Sequence, residues 1–241
     1  YLYWLGDAVT GDLGESMLDR KPVAEIMWDA LGATLQLAFF GWMFATLVGV
    51  PLGVLSAVKR GSVWDYLGRS VALAGQTLPV FWVGIMGILI FAVKLEWLPV
   101  GTRPEEFSPK HFIMPAITLG WFSAAGYLRL TRSAMLDVMD SEYVKLARAK
   151  GVNSTAVLWK HAFRNAIIAP LTFSSLVLAG FITGAIVTET VFSWPGLGRL
   201  AFASVDDNDF PVMVGLMLLF TFMFLVVNLL TDILYAYVDP R

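Results

Sequence analysis

The chain has 241 residues, 57% of them hydrophobic and only 15% charged, with a net charge of −2 and a mean hydropathy of +0.69. Soluble domains carry about 25% charged residues, so much of this surface must face lipid or other protein, and so small a net charge argues against nucleic-acid binding or acidic substrates. The absence of cysteine excludes disulfides, thiolate metal sites and cysteine nucleophiles, and the two histidines, His111 and His161, lie too far apart in sequence for a helical two-histidine metal motif.

The chain begins Tyr1-Leu2-Tyr3-Trp4, with no charged-then-apolar leader before it, and one further span is expected upstream. Residues 1–29 read as an external segment. Asp19 as a cap, Pro22 in a first turn, and Val23, Ile26, Met27 and Ala30 on one face predict a short interfacial helix leading into the first span. Five apolar stretches then reach the roughly 20 residues a bilayer crossing needs: residues 30–58, 67–95, 112–131, 166–188 and 212–238. Pro51, Pro79 and Pro115 fall inside them, which neighbouring helices make tolerable in lipid. Residues 81–93 show no polar face at helical spacing, as a soluble bundle would require. The predicted fold is therefore an all-α polytopic membrane bundle, with five spans here and six once the expected upstream span is counted.

Lysine and arginine set the predicted orientation. One set of connections carries Lys59, Arg60 and Arg69, then Arg132, Lys145, Arg148, Lys150, Lys160 and Arg164. The alternate connections hold only Arg103, Lys110 and Arg199, beside Glu105, Glu106, Asp206, Asp207 and Asp209. Basic residues stay inside, so residues 1–29 are expected outside and the C-terminus in the cytoplasm. Trp28, Trp64, Trp97 and Trp194 sit near span ends, where indole rings favour the interface.

The longest inside loop, about residues 132–165, is not composed like a simple connector. Ser141 to Lys150 is rich in helix formers, Gly151 suits the left-handed residue that ends a helix, and Lys150 suits the negative end of its dipole. Asn153 or Ser154 can cap a second short helix running to about His161. Small residues at Ala147 and Ala149 would let another protein's backbone approach closely. A basic juxtamembrane loop attracted to anionic lipid is the alternative on composition alone.

The order of residues points further. Glu142-Tyr143-Val144, then Ala147-Arg148-Ala149-Lys150-Gly151 and His161-Ala162-Phe163-Arg164-Asn165, resembles the coupling loop of ABC importer permeases in its peptide-importer form. Gly11-Asp12-Leu13-Gly14, Arg20-Lys21-Pro22-Val23, Val50-Pro51-Leu52-Gly53, Leu78-Pro79-Val80-Phe81-Trp82 and Trp97-Leu98-Pro99 extend the resemblance. So do Glu189-Thr190-Val191-Phe192-Ser193-Trp194-Pro195-Gly196-Leu197-Gly198-Arg199 and Asp239-Pro240-Arg241. The chain is similar throughout to the B-type subunit of dipeptide and oligopeptide permeases, with nickel and glutathione relatives. Lys145 and Leu146 stand where the general importer pattern has its glutamate and first alanine, and Arg164 where it has a proline. That departure is the usual look of the peptide branch.

The resemblance implies a type I importer permease domain over residues 30–241 in a bacterial inner membrane. It implies a second permease subunit, two ATPase subunits and an external solute-binding protein as partners. The chain has no Gly-x-x-x-x-Gly-Lys-Ser/Thr loop, so ATP and Mg are expected on the ATPase subunits, with no cofactor on this chain and no catalytic residue. Glu142, Tyr143, Ala147, Arg148, Ala149, Lys150, Gly151, His161, Arg164 and Asn165 are the expected ATPase-coupling residues. Gln76, Thr77, Ser123, Ser174, Thr183, Glu189 and Asn228 are candidates for the solute path, although polar groups in spans also simply bond helix to helix. Asp232, one turn after Asn228, reads as a hydrated anchor. An ion-coupled transporter would want a central acidic relay, and an intramembrane enzyme a nucleophile with its base; the spans display neither. Peptide against nickel-chelate selectivity stays open.

Overall fold

A computed structural model describes residues 6, 10–104, 106 and 108–238, giving the backbone alone at 184, 231, 232 and 234–238. The readings placed on residues 1–4, Glu105 and 239–241, and on the Asp232 side chain, lie outside the described residues. Every regular element among the described residues is helical; an isolated antiparallel bridge joins Glu15 and Pro22.

Helix α1 runs unbroken over Val23–Val58, 36 residues. The expected short interfacial helix is therefore the opening turns of α1, because nothing between Ile26 and Ala30 interrupts the backbone ladder and a lone Gly32 costs only about 1 kcal/mol. Asp19 does not cap it. Ser16 Oγ accepts from the Leu18 and Asp19 N–H groups at 3.2 and 2.9 Å, closing a separate turn, and the Val23 N–H reaches the Gly14 carbonyl at 2.9 Å.

The expected span over 67–95 is two helices, α2 (Val63–Thr77) and α3 (Val80–Lys94, wound as π-helix over Ile88–Lys94). Pro79 offers no N–H and drives Leu78 to extended angles, φ −77° and ψ 128°, which ends α2. Next come α4 (Pro109–Met139), α5 (Glu142–Ala149) and α6 (Ser154–Ala166, with Val157–Phe163 in π-helix). The chain bends by 46° into α7 (Ile168–Gly184), and α8 (Ile186–Val191), α9 (Leu197–Asp206) and α10 (Phe210–Val238) follow. The expected span over 166–188 thus ends early, at Gly184, with its last residues in α8. Among the described residues, Val23–Val58 and Phe210–Leu230 are each long and apolar enough to cross a bilayer, and the two broken pairs raise the number to four if each is one span. The expected span over 112–131 lies within the 31 residues of α4.

The fold divides into two compact units. The first takes in the residues up to Gly41 with Val80–Leu119 and Leu178–Leu230. Its core joins Val23, Met27 and Ala30 of α1 to Leu197 of α9 and to Val212 and Leu216 of α10. Trp194 is wholly buried, donates from Nε1 to the Ala33 carbonyl at 2.9 Å and meets the Phe112 ring edge-on at 4.9 Å.

The second unit takes in Trp42–Pro79, Gly120–Val177 and the residues from Thr231 on. Two glycines four residues apart on α1 bring it against α4 at backbone distance. A Cβ on Gly49 would stand 2.5 Å from the Ala124 carbonyl oxygen, and one on Gly53 would stand 2.7 Å from that of Leu128. Membrane helices use this spacing of small residues to approach closely. A second cluster gathers Val54 and Ala57 of α1, Met135 of α4, and Ala162 and Ala166 of α6.

Candidate functional site

The segment from Ser141 to Asn165 forms a compact knob at the end of α4. Residues 132–139, expected in the loop, are instead the last turns of α4, because the Met135 side chain is completely buried in the cluster with Val54, Ala57 and Ala162. The Ser141 hydroxyl donates to the Val138 carbonyl and starts α5. Val144 and Ala147 turn inward onto Val157 of α6, flanked by Val138 and Val152. Gly151 sits at φ +78°. Its N–H reaches the Arg148 carbonyl at 3.0 Å, and the Val152 N–H reaches that of Ala147 at 3.2 Å, an ending that wants glycine. Asn153, rather than Ser154, caps α6, its Oδ1 accepting from the Thr155 N–H at 2.9 Å.

Side-chain hydrogen bonds then tie α5 to α6. The Asn165 amide donates to the Tyr143 hydroxyl at 2.8 Å and to the His161 carbonyl at 3.1 Å, and the Tyr143 hydroxyl donates to the same carbonyl at 3.1 Å. Tyr143, His161 and Asn165 therefore come together, through the His161 backbone and not its ring. Lys145 meets Glu142 at 2.8 Å on an exposed face, a pair worth little. Arg148 borders a cleft of about 320 Å³ with Val58, Met139, Ser154, Thr155 and Leu158. Glu142, Ala149, Lys150, Gly151 and Arg164 are exposed. Ala147 is not: its methyl belongs to the knob's own core, so of the two alanines only Ala149 is open to a partner.

Two exposed residues escaped the sequence reading. Leu146 and Trp159 are 55% and 53% exposed; Leu146 lies three residues after exposed Tyr143, opposite the buried pair Val144 and Ala147, so its helical phase was the available signal.

A buried ion pair stands in the same unit. Asp65 is completely buried at the start of α2 and takes the Arg132 guanidinium through Nε at 2.8 Å and Nη2 at 3.1 Å. The Ser56 hydroxyl and the Gly61 N–H also donate to it, at 2.7 and 3.0 Å, and Arg69 lies 3.4 Å away.

Most of the candidate solute-path residues have hydrogen-bond partners of their own. Gln76 accepts from Arg129 at 3.1 Å and Ser174 from Trp42 at 2.6 Å. Thr77, Thr183 and Asn228 donate to carbonyls of their own helices, and Ser123 is buried. Glu189 is completely buried and accepts from the Thr34 hydroxyl at 2.6 Å and the Arg199 N–H at 3.0 Å. Thr34 in turn accepts from the Leu197 N–H at 2.8 Å. Glu189 thus stitches α1, α8 and α9 together. A side chain on Gly196 would collide with the Glu189 carboxylate and with Thr34.

Residues 49–241 match the family of binding-protein-dependent transport system inner membrane components. The dipeptide transport system permease proteins of Alkalihalophilus pseudofirmus and Escherichia coli are each 39% identical over all of this chain, which covers 80% and 79% of their lengths. A glutathione transport system permease protein of Escherichia coli is 40% identical over all of this chain and 78% of its own length. The fold is similar to that of the MetNI methionine ABC transporter in an inward facing conformation (TM-score 0.72, 16% identity, 89% of this chain and 96% of that one). It is also similar to an amino acid ABC transporter (TM-score 0.64, 18% identity, 87% and 92%). At these identities the two structures speak for the fold alone.

Proposed function

Because the chain belongs to the binding-protein-dependent transport system inner membrane components of ABC importers, we propose that it conducts di- or oligopeptides across a bacterial inner membrane. It is a multi-pass translocation subunit, and we assign ATP and Mg to partner ATPases. In this reading it pairs with a second permease subunit, two ATPase subunits and an external binding protein, with residues 1–29 outside and the C-terminus in the cytoplasm. Residues 30–241 make the transmembrane domain. The observation that carries the coupling role is the knob itself. Val144, Ala147 and Val157 lock α5 to α6 from within, while Leu146, Trp159 and the basic residues face outward. A rigid knob with an exposed far face moves as one body when an ATPase subunit moves, and the spans then alternate their access.

Glutathione is a second candidate solute, favoured by the 40% identity to a glutathione permease protein. ATP-dependent uptake by the reconstituted complex, with its binding protein, tests both. Saturable import of a labelled dipeptide supports the first reading. Glutathione import with no dipeptide competition selects the second, and import of neither rejects both.

A further inference from the structure

One cleft in the first unit is lined by charges of both signs. Asp29 of α1, Arg103 and Arg199 of α9 border it together with Pro195, Gly196 and Leu200, and it measures about 440 Å³. That lies in the range of small-ligand sites, about 300–1,000 Å³. Among the described residues the side chains of Asp29 and Arg103 have no partner. Arg199 uses only Nη1, donating to the Ser193 carbonyl at 2.7 Å. Asp29 and Arg199 are exposed at this cleft and Arg103 is half-buried, and among the described residues no ion pair joins them.

The backbone that carries them is held from within. Arg103 follows Gly101 and Thr102, both at positive φ, and this turn is pinned where the Thr102 N–H donates to the Phe192 carbonyl at 2.8 Å. Arg199 is fixed by its own N–H on buried Glu189. Asp29 lies one turn before Ala33 and Thr34, which hold Trp194 and Glu189. The backbone segments that carry the three charges are thereby anchored to the same buried group of residues, Phe192, Trp194 and Glu189.

We propose that this cleft binds a short zwitterionic solute with a free α-carboxylate and a free α-ammonium, a peptide of two or three residues. The carboxylate sits between Arg103 and Arg199, whose planar forks suit it, and the ammonium sits on Asp29. The two-to-one charge ratio makes the carboxylate end the stronger determinant. This inference rests on the peptide reading above and names residues that recognise the solute independently of the binding protein.

The test uses the assembled transporter in nanodiscs without its binding protein, and three probes: dialanine, N-acetyl-dialanine and dialanine amide. Affinities come from ligand-observed NMR, and melting temperatures show that each variant is folded. The wild type should bind dialanine at least tenfold more tightly than either blocked form. R103Q/R199Q should lose about tenfold for dialanine together with its preference over the amide. D29N should lose the preference over the N-acetyl form. Blocked and free dialanine binding alike, or folded variants binding as the wild type does, would overturn the proposal. So would variants that keep dialanine affinity but lose stimulation of ATP hydrolysis by the binding protein, since the cleft would then be a protein-docking surface. A wild-type complex that imports no dipeptide sinks the peptide reading itself, whereas normal dipeptide import by R103Q/R199Q and D29N alike removes only this inference.

Discussion

Arg132 holds Asp65 through two parallel N–H···O bonds, joining residues 67 positions apart in sequence. Asp65 has no exposure, while the Arg132 side chain keeps about 20%. Removing one partner of a buried pair leaves the other charge uncompensated, at a cost of about 3–5 kcal/mol. Arg132→Ala and Asp65→Ala should each lower the melting temperature of the purified complex, and the double variant should cost less than the sum of the two. Strict additivity would show that the pair is not coupled.

The close approach of α1 to α4 predicts steric intolerance. Gly53→Val must displace the Leu128 carbonyl or Thr131 and should cost about 1–3 kcal/mol or more. Gly87→Ala, where a Cβ meets nothing within 4 Å, is the control. Equal melting temperatures for the two variants would contradict the packing described.

At Gly151 the prediction concerns coupling. A β-branched residue at φ +78° meets the left-handed penalty of about 1–2 kcal/mol, while asparagine is tolerated at such helix ends. Gly151→Val, and charge reversal by Arg148→Glu, should leave ATP hydrolysis running with uptake reduced tenfold or more, and Gly151→Asn should transport normally. Full transport by a stably assembled Gly151→Val complex counts against the knob as the coupling element.

Asp209 predicts an acid limb in stability. Burial pushes its carboxyl up, but the Ser16 hydroxyl and the N–H groups of Met17, Leu18 and Val212 pull it down further, so it ionises below the ordinary aspartate value. A group depressed on folding stabilises fully above its unfolded pKa, and this contribution is lost as pH falls through the lower, folded value. Melting temperatures between neutral pH and that acid range should therefore fall for the wild type. Asp209→Asn should start lower at neutral pH and fall less steeply; parallel curves would remove Asp209 as the cause.

The local chemistry of the knob was legible in the sequence because turns advertise themselves. Gly151 and Asn153 are residues whose backbone or side-chain preferences act within a few positions, and both stand where those preferences place them. Long-range pairing was not legible. Nothing in the sequence registers Asp65 against Arg132, or Glu189 against Thr34 at 155 positions' distance, since hydrophobic periodicity identifies helices but not which polar groups meet. Pro79 is tolerable in a span by the sequence alone because neighbouring helices can satisfy freed backbone groups; what ends α2 is its clash with Leu78, which takes extended angles. Ala147 stands as a contact residue by its small size and by the coupling-loop resemblance, and only its packing with Val144 on Val157 shows that it faces inward.

The π-wound turn at Val157–Phe163 has a consequence for how this part of the chain can change in length. Hydrogen bonds closed over five residues rather than four accommodate one residue more than an α-helix would. A single deletion there can be absorbed by rewinding to the α form, leaving Arg164 and Asn165 facing as before. The same deletion in α4 ahead of Arg132 would rotate every later side chain by about 100° and detach Arg132 from Asp65. One-residue gaps between relatives should therefore collect in α6 and be excluded from the turns of α4 that precede Arg132.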